Sequence, residues 1–253
     1  MHVDPLLVAL IPTVFVAGFV DAIAGGGGLI TVPAYLLAGI PPTFLLGTNK
    51  CVSTIGTMAS TARYILGRRM VWPVVMVGIP CTLVGAAFGA HTVALLPQEY
   101  VRTVIFVALP IAAGLTLAPR PKHISAHLVT WRSPRLWWSV PIIGLSIGWY
   151  DGFFGPGTGS FLILAFYGLT HLPLLNAAAV GRLFNLASNA AALVTFILHG
   201  KVLYTLALPL ALAGIAGQYC GSHLAIRRGD RLVRGMLMAV CAMLLLFLIW
   251  RPV

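Results

Sequence analysis

Four long apolar runs almost free of charge are followed, after a basic link, by four more, and this pattern limits the fold to helices in a lipid bilayer. A bilayer core about 30 Å thick takes roughly 20 apolar residues per helix. The runs at 5–24, 46–66, 70–95 and 100–118, and at 137–151, 174–198, 203–225 and 232–250, reach or approach that length. Shorter apolar runs at 29–38 and 159–168 each restart after a glycine-rich break. Residues of the AVILMFWYC set make up 59% and charged residues 8%, with a mean hydropathy of +0.97, so a soluble surface cannot be built. The expectation is an all-α integral membrane protein in one membrane domain over 1–253. Repeat one spans 5–118, a basic linker 119–136 and repeat two 137–253, with four long helices and one short post-glycine helix in each repeat.

The division rests on recurring spacing. Lys50, Ser53 and Thr57 return as Arg182, Asn185 and Asn189, each 132 residues later, as do Gly85 and Gly89 at Gly217 and Gly221. Asp21 and Gly25 return as Asp151 and Gly155 at an offset of 130. An odd number of crossings per half inverts one repeat against the other. It also puts the basic loops 63–69, 119–135 and 227–234 on one face, which the positive-inside rule makes cytoplasmic, with the termini outside. The net charge of +11 is explained by those loops and not by nucleic-acid binding, since no basic stripe or aromatic platform accompanies it. Met1 to Pro5 carries Asp4 and no Lys or Arg, the wrong flank for a cleaved signal. Cys51, Cys81, Cys220 and Cys241 lie in apolar runs without ligand spacing and read as small buried residues, so no metal is expected. His91, His171, His199 and His223 sit at run ends and loops with no partner at ligand spacing and read as interfacial.

Two constellations carry chemistry. The glycine runs Gly25, Gly26, Gly27, Gly28 and Gly155, Gly157, Thr158, Gly159 break a helix and bare backbone N–H groups, which persist at membrane depth only beside protein or a water-filled cavity. A helix restarting there turns its positive dipole end to that cavity, a place for an anion; close helix packing through small residues is the alternative. The seam of Lys50, Ser53 and Thr57, with Asn49 beside it, and of Arg182, Asn185 and Asn189 lies on one face of each helix. A charge at the bilayer centre costs roughly 2.5–3.5 kcal/mol on insertion scales, so the cations face the protein interior or snorkel to the interface. Cationic, amide and hydroxyl groups together are donors suited to a small oxyanion. Asp21 and Asp151 approach the membrane interior just before the breaks, as candidates for proton coupling, for holding a helix end or for pairing with a basic residue.

Gly47-Thr48-Asn49-Lys50, the run from Gly152 through Gly155-Pro156-Gly157-Thr158-Gly159-Ser160-Phe161, the stretch Gly181-Arg182 to Ser188-Asn189 and Gly200-Lys201-Val202 together resemble the TauE/SafE family, the sulfite exporter type. The resemblance runs from about Val16 to Leu248. It implies a bacterial inner-membrane carrier of sulfite or small organosulfonates such as sulfoacetate, driven by an ion gradient and not by ATP. Arg182 stands where the resemblance leads one to expect lysine in many relatives. No cofactor and no catalysis are expected. The expected partners are a small anion, the bilayer, a proton as coupling ion and a second copy of the chain. Three alternatives stand beside this reading: a carrier of carboxylates, a non-transporting membrane assembly protein, and an intramembrane hydrolase using Ser160.

Overall fold

The computed structural model describes residues 5–97, 99–105, 107 and 129–239. Its helices are α1 (Pro5–Ala24), α2 (Gly28–Leu37), α3 (Pro42–Leu66) and α4 (Trp72–Ala94) in the first half. The second half has α5 (Pro134–Phe153), α6 (Thr158–Leu169), α7 (Leu174–Leu198) and α8 (Tyr204–Arg228). Residues 99–105 and 230–239 are also helical, while most of the runs at 100–118 and 232–250, the linker up to 128, and Cys241 lie outside the described residues. Proline opens α3, α4 and α5 in the first turn, where its missing N–H has no helical partner to lose.

α1 ends where Gly25 takes φ +80° and α5 where Gly155 takes φ +98°, backbone conformations that glycine adopts without a Cβ clash. The helices that restart, α2 and α6, have 10 and 12 residues, about half the length needed to cross a bilayer.

The halves exchange equivalent contacts. Gly85 and Gly89 of α4 press against the carbonyls of Leu145 and Trp149 in α5, and Gly217 and Gly221 of α8 press against those of Phe15 and Phe19 in α1. Both pairs are parallel and held by backbone contact through small residues, as in the GxxxG mode. The third helices of the two halves run antiparallel. The Leu203 N–H beyond the end of α7 donates to Thr48 Oγ1 near the start of α3 (3.1 Å), and Asn176 near the start of α7 donates to the Arg69 carbonyl beyond the end of α3 (2.9 Å).

The described parts of the three basic loops gather at one end of the molecule. Asn176 reaches Arg69, Leu175 N–H donates to Asp230 Oδ1 (2.9 Å), and Arg135 lies 3.2 Å from His171 Nδ1. Because α8 runs towards this basic end and α1 is parallel to it, α1 starts at the opposite end.

Polarity is reversed relative to a soluble protein. Lys50, Arg182, Asp151, Asn185, Asn189 and Gln218 are buried, while Leu37, Leu66, Phe88, Trp137, Leu198 and Leu212 are among the exposed side chains. An exposed apolar shell this extensive suits lipid and not water. Among the described residues, α4 and α7 are each long and apolar enough to cross a membrane. Cys51 is buried but Cys81 is half-buried and Cys220 exposed, a correction to the reading of all as buried residues: small apolar thiols are equally at home against lipid. The histidines do find partners: His223 Nδ1 lies 2.6 Å from Arg63 Nη2, and the rings of His91 and His199 meet edge to face at 5.6 Å.

The glycine contacts give a direct test. Gly89→Ala and Gly221→Ala are each expected to lower stability in detergent by about 1–3 kcal/mol, because the new methyl meets backbone that cannot yield. Gly168→Ala on α6 has open space and is expected to change the thermal midpoint little.

Candidate functional site

The two glycine breaks cross in the middle of the fold. A Cβ on Gly25 would land on the backbone of Gly159 and Ser160, and one on Gly28 would come within 2.9 Å of Pro156 Cα. Ser160 fastens the crossing: its N–H donates to Gly25 O (3.1 Å) and its hydroxyl to Ala24 O (2.7 Å). Carbonyls at the end of α1, left without helical partners, are thereby satisfied from the other half of the chain. The Ser160 hydroxyl is thus directed at a backbone carbonyl and not at a base.

Each membrane-depth cation is paired with the carboxylate of the opposite half. Lys50 Nζ of α3 lies 2.8 Å from Asp151 Oδ1 of α5, and Arg182 Nη1 of α7 lies 2.5 Å from Asp21 Oδ2 of α1. Lys50 and Arg182 therefore do not snorkel; they are 2% and 1% exposed. Each cation stands eight residues into a helix of 25, roughly 12 Å from its start. As α3 and α7 are antiparallel, the Arg182–Asp21 pair lies towards the basic end and the Lys50–Asp151 pair towards the opposite end.

The surroundings of the two carboxylates differ. Asp21 accepts from Arg182, from Gln218 Nε2 (2.7 Å) and from Gly27 N–H (3.1 Å), so it holds the restarted helix as well as the guanidinium. Among the described residues Asp151 accepts from Lys50 alone, through Oδ1, and its buried Oδ2 has no partner. Lys50 has a second tie, donating to Asn189 Oδ1 (2.8 Å), and Asn189 Nδ2 donates to Asn185 Oδ1 (3.2 Å).

Between the pairs lies a cavity of about 40 Å³. A water needs roughly 10–15 Å³ counted in this way, so the space holds a few waters or one small polyatomic ion. The sequence-derived residues that line it are Asp21, Gly25, Gly27, Gly28, Asn49, Lys50, Ser53, Asp151, Gly155, Gly157, Thr158, Gly159, Asn185 and Asn189. Gly26, Thr57 and Arg182 do not line it. Thr57 is buried with its hydroxyl unpartnered, and Arg182 lies behind Gly159, drawn to Asp21 with its Nη2 unpartnered. Two polar lining residues were missed by sequence reasoning: Gln218, a lone amide in an apolar helix, and Thr31, which donates to Asn49 Oδ1 (2.7 Å). Among the described residues no cluster of His, Cys, Asp and Glu could hold a metal ion.

The site is polar, buried and electrically balanced, with two cations against two carboxylates. Chemically it can hold a small hydrogen-bond acceptor beside an ammonium, but such an acceptor competes with Asp151 for Lys50.

Residues 10–248 match the sulfite exporter TauE/SafE family. The chain is 34% identical over 248 residues to the "Probable membrane transporter protein ORF9" of Sinorhizobium sp, covering 98% of this chain and 94% of that protein. It is 35% identical over 246 residues to the "Probable membrane transporter protein YfcA" of Escherichia coli strain K12, covering 96% and 89%. A "Probable membrane transporter protein" of Haemophilus influenzae is 36% identical over 251 residues, covering 94% and 92%. No solved structure matches the chain. With the family match spanning nearly its whole length, this apolar helical protein belongs to the TauE/SafE sulfite exporter family of membrane transporters.

Proposed function

We propose that the protein is a secondary carrier of small sulfur-containing oxyanions, sulfite or organosulfonates such as sulfoacetate, across the bacterial inner membrane. The observation that carries this reading is the small cavity in which Lys50, Asn49, Ser53, Thr158, Asn185, Asn189 and Gln218 converge beside two helix starts. Lys50 balances the anion, the amides and hydroxyls orient its oxygens, and the glycine breaks let backbone approach closely. Arg182 acts from behind Gly159, as the holder of Asp21. Among small anions, the family match favours sulfur oxyanions over carboxylates.

Alternating access follows from the two halves, taken as inverted repeats of 5–118 and 137–253 joined by the linker 119–136. Support comes from the parallel α1–α8 and α4–α5 contacts, which recur at matched positions, and from the antiparallel α3 and α7. Rocking one half against the other about the crossed breaks exposes the cavity to each side in turn. Positive-inside bias makes the basic end cytoplasmic and puts the start of α1 outside. The carrier is coupled to an ion gradient, with the proton as the ion and Asp21 and Asp151 as the titratable groups within reach. A homodimer is compatible with this account but not required by it, since one chain supplies every lining residue.

Uptake of labelled sulfite, sulfoacetate, taurine, sulfate and acetate into proteoliposomes under an imposed pH gradient tests the substrate class. Saturable uptake of sulfite or sulfoacetate, in preference to acetate, is the expected result. Uptake of acetate alone would replace the sulfur reading with a carboxylate one, and no uptake of any anion by folded protein would remove the transport reading.

A further inference from the structure

We infer that Asp151, and not Asp21, is the proton carrier of the cycle, and that one proton enters the site with each monovalent anion. This rests on the carrier reading and adds to it the residue and the stoichiometry. The site as built is neutral: Lys50 and Arg182 offset Asp151 and Asp21. An unaccompanied anion would leave one uncompensated negative charge beside side chains that are 1–2% exposed, which is unfavourable. A proton on one carboxylate removes that charge and frees its cation for the anion.

The geometry distinguishes the two acids. Asp21 is held by three donors, one a guanidinium that stays protonated in proteins. Protonating it would break the contact that anchors Gly27 and Gln218. Asp151 is held by one donor and keeps an unpartnered, buried Oδ2 on which a proton can reside. When it does, Lys50 loses the carboxylate, remains tethered to Asn189 and faces the cavity, where the entering anion takes the place of the carboxylate beside the ammonium. Gly155 admits this rearrangement: a Cβ there would stand 2.9 Å from Lys50 Nζ and 3.2 Å from Asp151 Oδ1.

The charged and titratable neighbours of Asp151 are few. Among the described residues α3 contributes Lys50 and α5 itself contributes Tyr150, whose hydroxyl donates to Pro156 O (2.6 Å), while Arg182 of α7 is engaged with Asp21 of α1 in the other pair. α4 presents Ala86 and Gly89 at this level, and α6 presents Thr158. The step balances simply. A proton from bulk water binds the Asp151 carboxylate, the Lys50–Asp151 ion pair opens, and the anion pairs with Lys50; on the other side the anion leaves, the proton returns to water and the ion pair closes.

Calorimetry of methanesulfonate binding to the full-length protein, in buffers of different ionisation enthalpy, counts the protons taken up. Methanesulfonate is permanently ionised near neutral pH, so any proton belongs to the protein. The expected result is about one proton per anion and, over the pH range in which that proton is taken up, an affinity that falls about tenfold per pH unit. Asp151→Asn is expected to take up about none, and Asp151→Glu to restore uptake. Binding to wild type without proton uptake, or uptake that persists in Asp151→Asn, overturns this proposal and leaves the anion site standing. No binding to wild type overturns the sulfonate site and the proposal together. Should Asp151→Asn fail to fold, the wild-type proton count and pH dependence still decide the stoichiometry, and the residue is decided by whether Asp151→Glu moves that pH dependence, as a proton carrier would, or leaves it unchanged, which overturns the assignment.

Discussion

Gly159→Val is expected to yield no folded protein. A Cβ at this position would overlap Arg182 Nη2 and stand 2.5 Å from Gly25 Cα, so it meets a buried ion pair on one side and backbone on the other. Gly25 cannot retreat, because its φ of +80° and its carbonyl bond from Ser160 N–H fix it in the crossing. Losing the two bonds from Ser160 leaves buried carbonyls unsatisfied, at about 1–3 kcal/mol each. Overpacking adds about 1–3 kcal/mol more. The total, on the order of 5 kcal/mol, reaches the whole stability of a marginal protein. The check is the monodisperse peak in detergent by size exclusion, with Gly168→Val at an open position as control. A normal peak for Gly159→Val would mean that the breaks do not cross as described.

The second large effect separates stability from transport. Lys50→Met is expected to destabilise the protein by about 3 kcal/mol and to abolish anion flux, because Asp151 is left buried without its partner and must either stay charged or take up a proton to fold. Adding Asp151→Asn removes that stranded charge. The double variant is therefore expected to recover most of the lost stability, since replacing both members of a buried pair is often close to neutral. Flux is expected to stay absent, because the ammonium that pairs with the anion is gone. Thermal unfolding of the four combinations, read as a double-mutant cycle, gives the coupling. A double variant that transports would show that Lys50 serves folding alone.

Much of the fold was legible in the chain. α7 is apolar over 174–198, and the breaks at Gly25 and Gly155 were marked by glycine and by an acid four residues before each. The antiparallel third helices follow from an odd crossing count, itself argued from where the arginines fall. The exchange of partners was less legible. Few acids in the chain meant that buried Lys50 and Arg182 needed Asp21 and Asp151, but local spacing cannot say which acid joins which cation across more than 100 residues. Reasoning from duplication also finds only what is duplicated. Gln218 has Ala86 at the offset of 132 and Thr31 has Phe161 at the offset of 130, so neither of these lining residues gave a repeat signal. Arg182 stands apart from the cavity for another reason: its long side chain reaches Asp21, while Asn185 and Asn189 on the same helix line the cavity.

The central claim is that an anion passes through the site held by Lys50. Labelled sulfite uptake into proteoliposomes, comparing wild type with Lys50→Met/Asp151→Asn at matched amounts of folded protein, tests it most directly. Saturable uptake by wild type and background uptake by the double variant is the predicted result; equal uptake by both would contradict the account.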